Sequence, residues 1–541
     1  MRWTDLFNYG AFLGAVHALD CSPSSFQSVL PANATINWAV PLQQNATLEV
    51  PVGDTGYPNN PVGLPALCAV SVQVQSIGNS TFGFGLFLPV AWNGRFLAVG
   101  NGGYAGGINW EDMGPGSRYG FATMSTDTGH NSSSFDGAWA YNQPEMVENW
   151  GHLAMHGSVV AAKALVSAFY GENISYNYYA GCSTGGRQGL KEAERYPDDF
   201  DGIIAGAPAW WTSHLQPWTI KVALYNLPTT ADHHIPPVMF PVIGAEVLKQ
   251  CDPQDGLTDN IISNPSGCNF RPEELLCAPN VINSTLAGCL TSPQIATLYN
   301  IYSDSIGDNQ TFLFPHLSLG SEFQWLLLSD DEPNALGTDF VRYFLNFGAD
   351  WDFYNFNESI QYLTDQVDPG SATVKFDLSA FHAKGGKILS YHGMSDGLIP
   401  TGLLPYFYNH VIRELEPLGI KVDNFFRTFL VPGMGHCSGT FPNINAPWYF
   451  AGPNQASLLG PMVFSVPGFK DAQHDAMMAL MRWVEGGQAP DYIIGTKYTN
   501  ELTQTGVLRQ RPLCMYPKQA KYLGVGDVNA ASSWVCIRMQ E

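Results

Sequence analysis

A buried strand, a serine between two glycines and a helix follow one another at residues 175–196, and no other feature constrains the fold as strongly. The strand is predicted at 175–180 (SYNYYA), the serine is Ser183 in the turn GCSTG, and the helix is predicted at 184–196, before Pro197. Taken alone, this G-x-S-x-G pattern fits an ordinary glycine turn as well as a nucleophile. Its position between a strand and a helix favours a sharp turn that exposes a serine hydroxyl for chemistry.

The alternation of strands and helices along the chain predicts an α/β fold with a parallel sheet. The alternation stops between about 209 and 374, where aromatic clusters, prolines and four cysteines collect. A chain of 541 residues is also too long to fold around one simple core. We therefore predict an α/β-hydrolase catalytic domain formed by 19–208 and 375–541, with 209–374 inserted as a lid domain. Further strands are predicted at 95–100, 121–127, 201–207, 387–391 and 425–431, and helices at 150–170 and 475–485.

Ten cysteines form an even set, as complete disulfide pairing requires. The sequence alone does not determine which cysteines pair. Spacing favours three local loops and one bond near the N-terminus, and it leaves Cys182 and Cys437 for each other, with two free buried thiols as the alternative. An oxidising compartment disfavours free thiols. The predicted pairs are Cys251–Cys268, Cys277–Cys289, Cys514–Cys536, Cys21–Cys68 and Cys182–Cys437.

The remaining composition favours a secreted, glycosylated protein. A short charged start and an apolar run predict a signal peptide at 1–18, although an ordinary N-terminus fits the same residues. No uninterrupted apolar stretch of membrane-spanning length follows, and 25 Lys+Arg against 47 Asp+Glu argue against nucleic acid and anionic membranes as partners. The sequence makes no prediction of oligomeric state. Eight N-x-S/T sequons occur, at Asn33, Asn45, Asn79, Asn131, Asn173, Asn283, Asn309 and Asn357.

A serine hydroxyl is a weak nucleophile that needs a base within hydrogen-bond reach. In an α/β-hydrolase the acid of the triad follows the serine, and the histidine follows the acid. Asp396 is the best candidate for the acid, because a buried strand ends just before it in the sequence ILSYHGMSD. The carboxyl ends of parallel strands are where such sites form. A turn aspartate that bonds its own backbone is the alternative for Asp396.

Three histidines follow Asp396, and one of them has the context of a catalytic base. His436 lies in the sequence PGMGHC, directly after an apolar strand, whereas His410 lies in a helix-like stretch and His474 begins a predicted helix. We predict that His436 accepts the proton of Ser183. Asp396 would orient His436 and stabilise its imidazolium.

Hydrolysis of an ester also needs two N–H donors for the oxyanion that forms on the carbonyl. One donor is predicted at the backbone N–H of Thr184, the residue after the serine. The other is predicted at Gly102 or Gly103, in the loop NGGYAGG that follows the strand at 95–100. This loop contains no G-x-G-x-x-G pattern that opens a helix, so it does not predict dinucleotide binding.

Several of these segments resemble the fungal tannase and feruloyl esterase family. The resemblance is carried by GCSTGGRQG at 181–189, by SYHG at 390–393 with Asp396, and by GMGHC at 433–437, and it extends over almost the whole chain. It implies a lidded α/β-hydrolase that cleaves hydroxycinnamate esters of plant cell walls or galloyl esters of tannins, without a cofactor in the chemistry. The motifs favour the feruloyl esterase branch. A tannase is one alternative; the other, a silent carbohydrate- or polyphenol-binding protein, is disfavoured by the intact triad.

An aspartate-rich loop, DPQDGLTDNI at 252–261, lies in the predicted lid. Carboxylate and carbonyl oxygens suit Ca²⁺, but the spacing is not that of an EF-hand, and a solvated aspartate turn fits the same residues. The family resemblance implies a structural calcium ion at this loop. Its ligands would be the side chains of Asp252, Asp255 and Asp259 and the carbonyls of Leu257 and Ile261.

Overall fold

A nine-stranded mixed sheet forms the centre of the protein. The computed structural model describes residues 19–460, 463 and 465–538, so the predicted signal peptide at 1–18 lies outside the described residues. The strands are β1 Ala34–Leu42, β2 Leu67–Gln75, β3 Thr81–Pro89, β4 Arg95–Val99, β5 Ala122–Thr126, β6 Tyr176–Cys182, β7 Gly202–Gly206, β8 Ser305–Ile306, β9 Phe312–Phe314, β10 Lys387–Gly393, β11 Phe426–Val431, β12 Tyr492–Asn500, β13 Thr505–Cys514, β14 Lys518–Tyr522 and β15 Trp534–Arg538.

The large sheet has the order β1-β2-β3-β5-β4-β6-β7-β10-β11. The pairs from β1 to β5 at one end are antiparallel, and the six strands from β5 to β11 are parallel. Every predicted strand is present, with ends shifted by at most two residues. Because the carboxyl ends of β4, β6, β10 and β11 meet at one edge, the loops after these strands come together there. The predicted α/β-hydrolase fold class is confirmed.

Helices cover both faces of the parallel strands and make up much of the long connection between β7 and β10. The helix at 475–485 was predicted correctly: Asp475 caps it by accepting the N–H groups of Met477 and Met478. The α-helices are Pro23–Gln27, Trp110–Arg118, Pro144–Glu148, Ala154–Tyr170, Thr184–Arg195, Thr212–Leu224, Phe240–Cys251, Ser284–Ala287, Ser292–Ile301, Ala335–Asp339, Glu358–Val367, Ser379–Ala383, Leu403–Leu415, Pro453–Leu459 and Ala476–Gly486.

One continuous helical stretch, Pro144–Tyr170, is long and apolar enough to cross a membrane by length and composition. Its last part, Ala154–Tyr170, packs against β3 and β5. Val159, Leu165 and Val166 of this helix are fully buried. The apolar face of the stretch therefore belongs to the core. The sequence predicts an α-helix from residue 150, but the structure has a π-helical turn before Ala154.

The connection between β7 and β10, residues 207–386, is a largely helical insertion. Five of its residues line the cavity that contains Ser183, namely Ala209, Leu215, Gln216, Thr219 and Leu336. Two disulfides brace the insertion, and all five predicted pairs are bonded in the structure. The bonds are Cys21–Cys68, Cys182–Cys437, Cys251–Cys268, Cys277–Cys289 and Cys514–Cys536.

A carboxyl group is enclosed in the core of the insertion. Glu322 is fully buried, and its Oε1 accepts hydrogen bonds from the N–H of Gly320 (2.9 Å) and the hydroxyl of Tyr302 (2.7 Å). Burial raises the pKa of Glu322 from 4.5 to about 7, although these hydrogen bonds act in the opposite direction. A group whose pKa is raised in the folded state stabilises the fold below its ordinary pKa, and this stabilisation is lost as the pH rises through 7.

The substitution Glu322→Gln tests this linkage. We expect the glutamine to keep the acceptor oxygen while removing the titration, so the variant loses less stability than wild type as the pH rises. The difference between the two proteins should amount to roughly 2–3 kcal/mol of unfolding free energy across about pH 5 to 8. Urea unfolding at both pH values measures it. Parallel pH profiles for the two proteins would show that Glu322 does not titrate abnormally.

Candidate active site

Ser183 occupies a strained turn between β6 and the helix Thr184–Arg195. Its backbone has φ 62° and ψ −123°, a conformation that a non-glycine residue adopts only when its surroundings enforce it. A Cβ on Gly181 would lie 2.7 Å from the backbone carbonyl of Gly185, so both glycines allow the turn to close. Ser183 Oγ makes no hydrogen bond within the described part of the chain. The turn therefore presents an unengaged hydroxyl at the carboxyl edge of the sheet.

Asp396 follows β10 and is fully buried. Its Oδ1 accepts the backbone N–H groups of Leu398 (2.8 Å) and Ile399 (2.9 Å). Its Oδ2 accepts from His436 Nδ1 (2.8 Å) and His392 Nε2 (3.0 Å). Burial alone would raise the pKa of Asp396, but the charge and hydrogen bonds of the two histidines hold this pKa well below its usual value. Asp396 is therefore an ionised acceptor that fixes the orientation of the His436 ring.

His392 is a partner of Asp396 that the sequence does not assign to the site. Its Nε2 lies 3.0 Å from both Asp396 Oδ2 and the carbonyl of Ile399. Its Nδ1 is buried without a partner among the described residues. Because Nδ1 has no acceptor in the described structure, Nε2 is the ring nitrogen that donates to Asp396 and to the carbonyl of Ile399. The chain order Ser–Asp–His excludes His392 as the base, and only its position at the end of a buried strand signals its role.

A disulfide joins the serine turn to the histidine loop. Cys182 is the last residue of β6 and precedes Ser183, while Cys437 follows His436. The two cysteine Cα atoms are 5.8 Å apart, and both Ser183 and His436 line one cavity of about 370 Å³. The structure contains no hydrogen bond between Ser183 and His436. Such contacts are often long without substrate and tighten when it binds.

The predicted oxyanion donors lie where the glycine loop meets the serine turn. Thr184 Oγ1 donates to the carbonyl of Gly103 (2.9 Å), which ties the two segments together. The N–H of Gly102 is already engaged, because it donates to the hydroxyl of Tyr57 (2.8 Å). Among the described residues, the N–H groups of Thr184 and Gly103 have no acceptor. Of the two predicted glycines, Gly103 is therefore the available donor, and Tyr57 is a further residue that the sequence does not indicate.

The cavity beside Ser183 has mainly apolar walls. Phe135 and Leu398 contribute from outside the insertion, and Leu215 and Leu336 contribute from within it. Polar groups come from the serine turn and the glycine loop, and also from other segments, such as Gln216 of the insertion. Apolar walls with few polar groups suit a flat hydrophobic acyl group whose ester carbonyl faces the serine.

The aspartate loop offers oxygen donors of the kind that calcium binds, but their arrangement departs from a closed shell. Asp252 is buried and accepts the N–H groups of Asp259 (3.2 Å) and Asn260 (2.8 Å), and Asp259 is paired with Arg511. Burial raises the pKa of Asp252, and the charges of Asp259 and Asp255 add to this effect. The carboxylate and carbonyl oxygens of one loop fit a cation chemically. The three carboxylates nevertheless do not form a cluster with ligand atoms within 4.8 Å of one another in the described structure.

Comparisons with known proteins agree with this geometry. The sequence profile of the family described as "Tannase and feruloyl esterase" matches residues 68–313 and 345–537. A probable feruloyl esterase B-1 of Aspergillus flavus is 33% identical over 97% of this chain and 98% of its own length. The crystal structure of feruloyl esterase B from Aspergillus oryzae has a TM-score of 0.86 at 30% identity, covering 96% and 99% of the two chains. Tannin acyl hydrolase from Aspergillus niger, with a TM-score of 0.73 at 20% identity and 96% coverage of both chains, shares the fold.

Removal of the disulfide beside the site tests its contribution to geometry. In the variant Cys182→Ala/Cys437→Ala, the histidine loop is free to move, so we expect kcat to fall by roughly 10- to 100-fold in protein that remains folded. The bond also closes a loop of 255 residues, and its loss should cost roughly 5 kcal/mol of stability in the chain-entropy model. Steady-state kinetics and circular dichroism measure the two effects.

The matched control is Cys277→Ala/Cys289→Ala, which removes a bond that closes 12 residues within the insertion. This control should lose stability and retain kcat. If the folded Cys182/Cys437 double variant kept full activity, the bond would serve stability alone.

Proposed function

The chain belongs to the tannase and feruloyl esterase family and is a carboxylic ester hydrolase, and we propose that it hydrolyses hydroxycinnamoyl esters of plant cell-wall polysaccharides through Ser183, His436 and Asp396. The acyl groups would be feruloyl, caffeoyl or p-coumaroyl. The observation that carries this proposal is the 2.8 Å hydrogen bond from His436 to the buried Asp396. The loop of His436 is also disulfide-bonded to the turn that contains Ser183. Together, Ser183, His436 and Asp396 would supply the nucleophile, the base and the orienting acid that this mechanism requires.

In the proposed reaction, Ser183 Oγ attacks the ester carbonyl carbon while His436 Nε2 takes the hydroxyl proton. The N–H groups of Thr184 and Gly103 would stabilise the oxyanion of the tetrahedral intermediate. His436 then gives its proton to the departing alcohol, which leaves an acyl ester on Ser183. Water attacks this ester, His436 accepts and returns a proton, and the phenolic acid is released. Asp396 stays ionised throughout and holds the ring of His436.

The apolar cavity and the named relatives support a phenolic acyl group. The Aspergillus flavus relative and the Aspergillus oryzae structure both carry the name feruloyl esterase B. A tannase that acts on galloyl esters is the second candidate, because the family includes both activities. A gallate ring bears its carboxyl group directly, whereas a hydroxycinnamate adds two carbons between ring and carbonyl, so the depth of the cavity distinguishes the two substrates.

A comparison of methyl ferulate, methyl caffeate and methyl gallate tests the choice of substrate. We expect kcat/KM to be at least about 10-fold higher for the cinnamates than for the gallate, because a change of one or two carbons in an apolar pocket is worth roughly this factor. The variant Ser183→Ala should be inactive on all three esters. A clear preference for the gallate would assign the protein to the tannases.

We also propose that the protein is secreted and glycosylated. Five disulfides and the absence of free cysteines among the described residues support an oxidising compartment. The asparagines of all eight sequons are exposed on the surface, as glycosylation requires.

Calcium at the aspartate loop is a further part of the proposal. Asp252, Asp255 and Asp259 would bind the ion through their side chains, with carbonyl oxygens of Leu257 and Ile261. The ion would neutralise a loop that the Cys251–Cys268 disulfide already closes. Its role would be structural, because none of these five residues lines the cavity of Ser183.

Removal of calcium should therefore lower stability. After treatment with EDTA we expect the melting temperature to fall by several degrees, since an ion that binds only the folded state stabilises it. Added CaCl₂ should restore the melting temperature. In Asp255→Asn, the melting temperature should change less with EDTA and CaCl₂ than it does in wild type. Elemental analysis provides the direct readout; metal-free dialysed protein whose melting is insensitive to CaCl₂ would contradict the assignment.

A further inference from the structure

A single side chain of the insertion contacts both loops that carry the acid and the base. Gln324 Oε1 accepts the backbone N–H of His436 (2.9 Å) and the backbone N–H of Gly397 (3.1 Å), the residue after Asp396. We propose that Gln324 is a positioning residue through which the insertion sets the geometry of Asp396 and His436. This inference rests on the proposed function, because it assigns Gln324 to the same site.

Two glycines make room for Gln324. A Cβ on Gly397 would lie 2.4 Å from the carbonyl oxygen of Gln324, and a Cβ on Gly435 would lie 3.0 Å from its Nε2. The backbone of the insertion therefore packs directly on the loop after β10, and the amide fits against the residue before His436. A larger residue at position 397 would force the insertion and this loop apart.

The segment that carries Gln324 is itself held firmly. The N–H of Gln324 donates to the carbonyl of Ser321 (2.8 Å), and Ser321 Oγ accepts from the indole of Trp325 (2.9 Å). Ser321, Glu322 and Trp325 are buried. Because these neighbours are fixed, the acceptor oxygen of Gln324 has a defined position relative to the two loops.

His436 is thus restrained from three directions. Its ring donates to Asp396, the residue after it is disulfide-bonded to Cys182, and its own N–H is held by Gln324. The disulfide restrains only the following residue, so it does not fix the preceding peptide or the loop of Asp396. Gln324 supplies this restraint to both loops with one oxygen atom. A displacement of about 1 Å in such groups is enough to lower a rate by about 100-fold.

The test compares Gln324→Met, which keeps the shape of the side chain and removes the acceptor, with Gln324→Glu, which keeps an acceptor oxygen. The matched control is Gln361→Met. Gln361 is a buried glutamine of the same insertion whose amide donates to the carbonyl of Ser213 (3.0 Å), away from the two loops. The readouts are kcat and KM on 4-nitrophenyl acetate and on methyl ferulate, together with melting temperature.

We expect Gln324→Met to lose roughly 10- to 100-fold in kcat with KM changed by less than about threefold, because the loops shift while the substrate cavity remains. Gln324→Glu should recover most of this loss. Gln361→Met should lower the melting temperature by about as much as Gln324→Met does, and it should keep the kcat of wild type. Wild-type kcat in Gln324→Met, an equal loss in Gln324→Glu, or an equal kcat loss in Gln361→Met would each overturn the inference.

The activated acetate separates this inference from the proposed function. If wild type hydrolyses 4-nitrophenyl acetate and Ser183→Ala does not, the serine chemistry stands whichever phenolic acid is preferred, and the Gln324 variants remain informative. If wild type and Ser183→Ala are equally inactive, the proposed function fails, and the role of Gln324 fails with it.

Discussion

The buried carboxylate of Asp396 is the interaction on which the arrangement of the site depends. An ionised group without solvent costs several kcal/mol unless hydrogen bonds and opposite charge compensate it. Here two backbone N–H groups and two histidines provide this compensation. Because one of the histidines is His436, the same contacts that make the buried charge tolerable also orient the ring of the proposed base. In the proposed mechanism, stability and catalytic geometry therefore share one set of hydrogen bonds.

The parallel sheet explains how residues so distant in sequence meet at this carboxylate. Strands β6, β10 and β11 end at one edge, so the serine turn, the Asp396 loop and the His436 loop are neighbours. The Cys182–Cys437 bond then joins two of these loops covalently, and Gln324 joins two of them by hydrogen bonds. The insertion is thus a wall of the cavity and also a support for the loops that surround it.

Much of this architecture follows from local patterns in the sequence. The strand–turn–helix at Ser183 has a specific signature, and chain order restricts the acid and the base to few candidates. Spacing favours the observed disulfide pairing without determining it, because three local loops and one bond near the N-terminus leave Cys182 and Cys437 for each other. These features depend on short segments or on chain order, so they can be predicted without knowledge of the tertiary structure.

Other parts of the site depend on contacts that no local pattern encodes. Gln324 lies in an irregular segment, and its two acceptor bonds reach 73 and 112 residues along the chain. Tyr57 reaches Gly102 over 45 residues. His392 is near Asp396 in sequence, but the fold sets its 3.0 Å contact with the carboxylate. In each case a common polar residue gains its function from packing, which the sequence of one chain does not reveal.

We propose that Ser183 is a nucleophile activated by a base that Asp396 orients. The most direct measurement is covalent labelling of the native protein with a fluorophosphonate, followed by mass spectrometry of the digested protein. We expect one label per chain, located on the peptide that contains Ser183, and no label in Ser183→Ala. An unlabelled native protein, or equal labelling of Ser183→Ala, would contradict it.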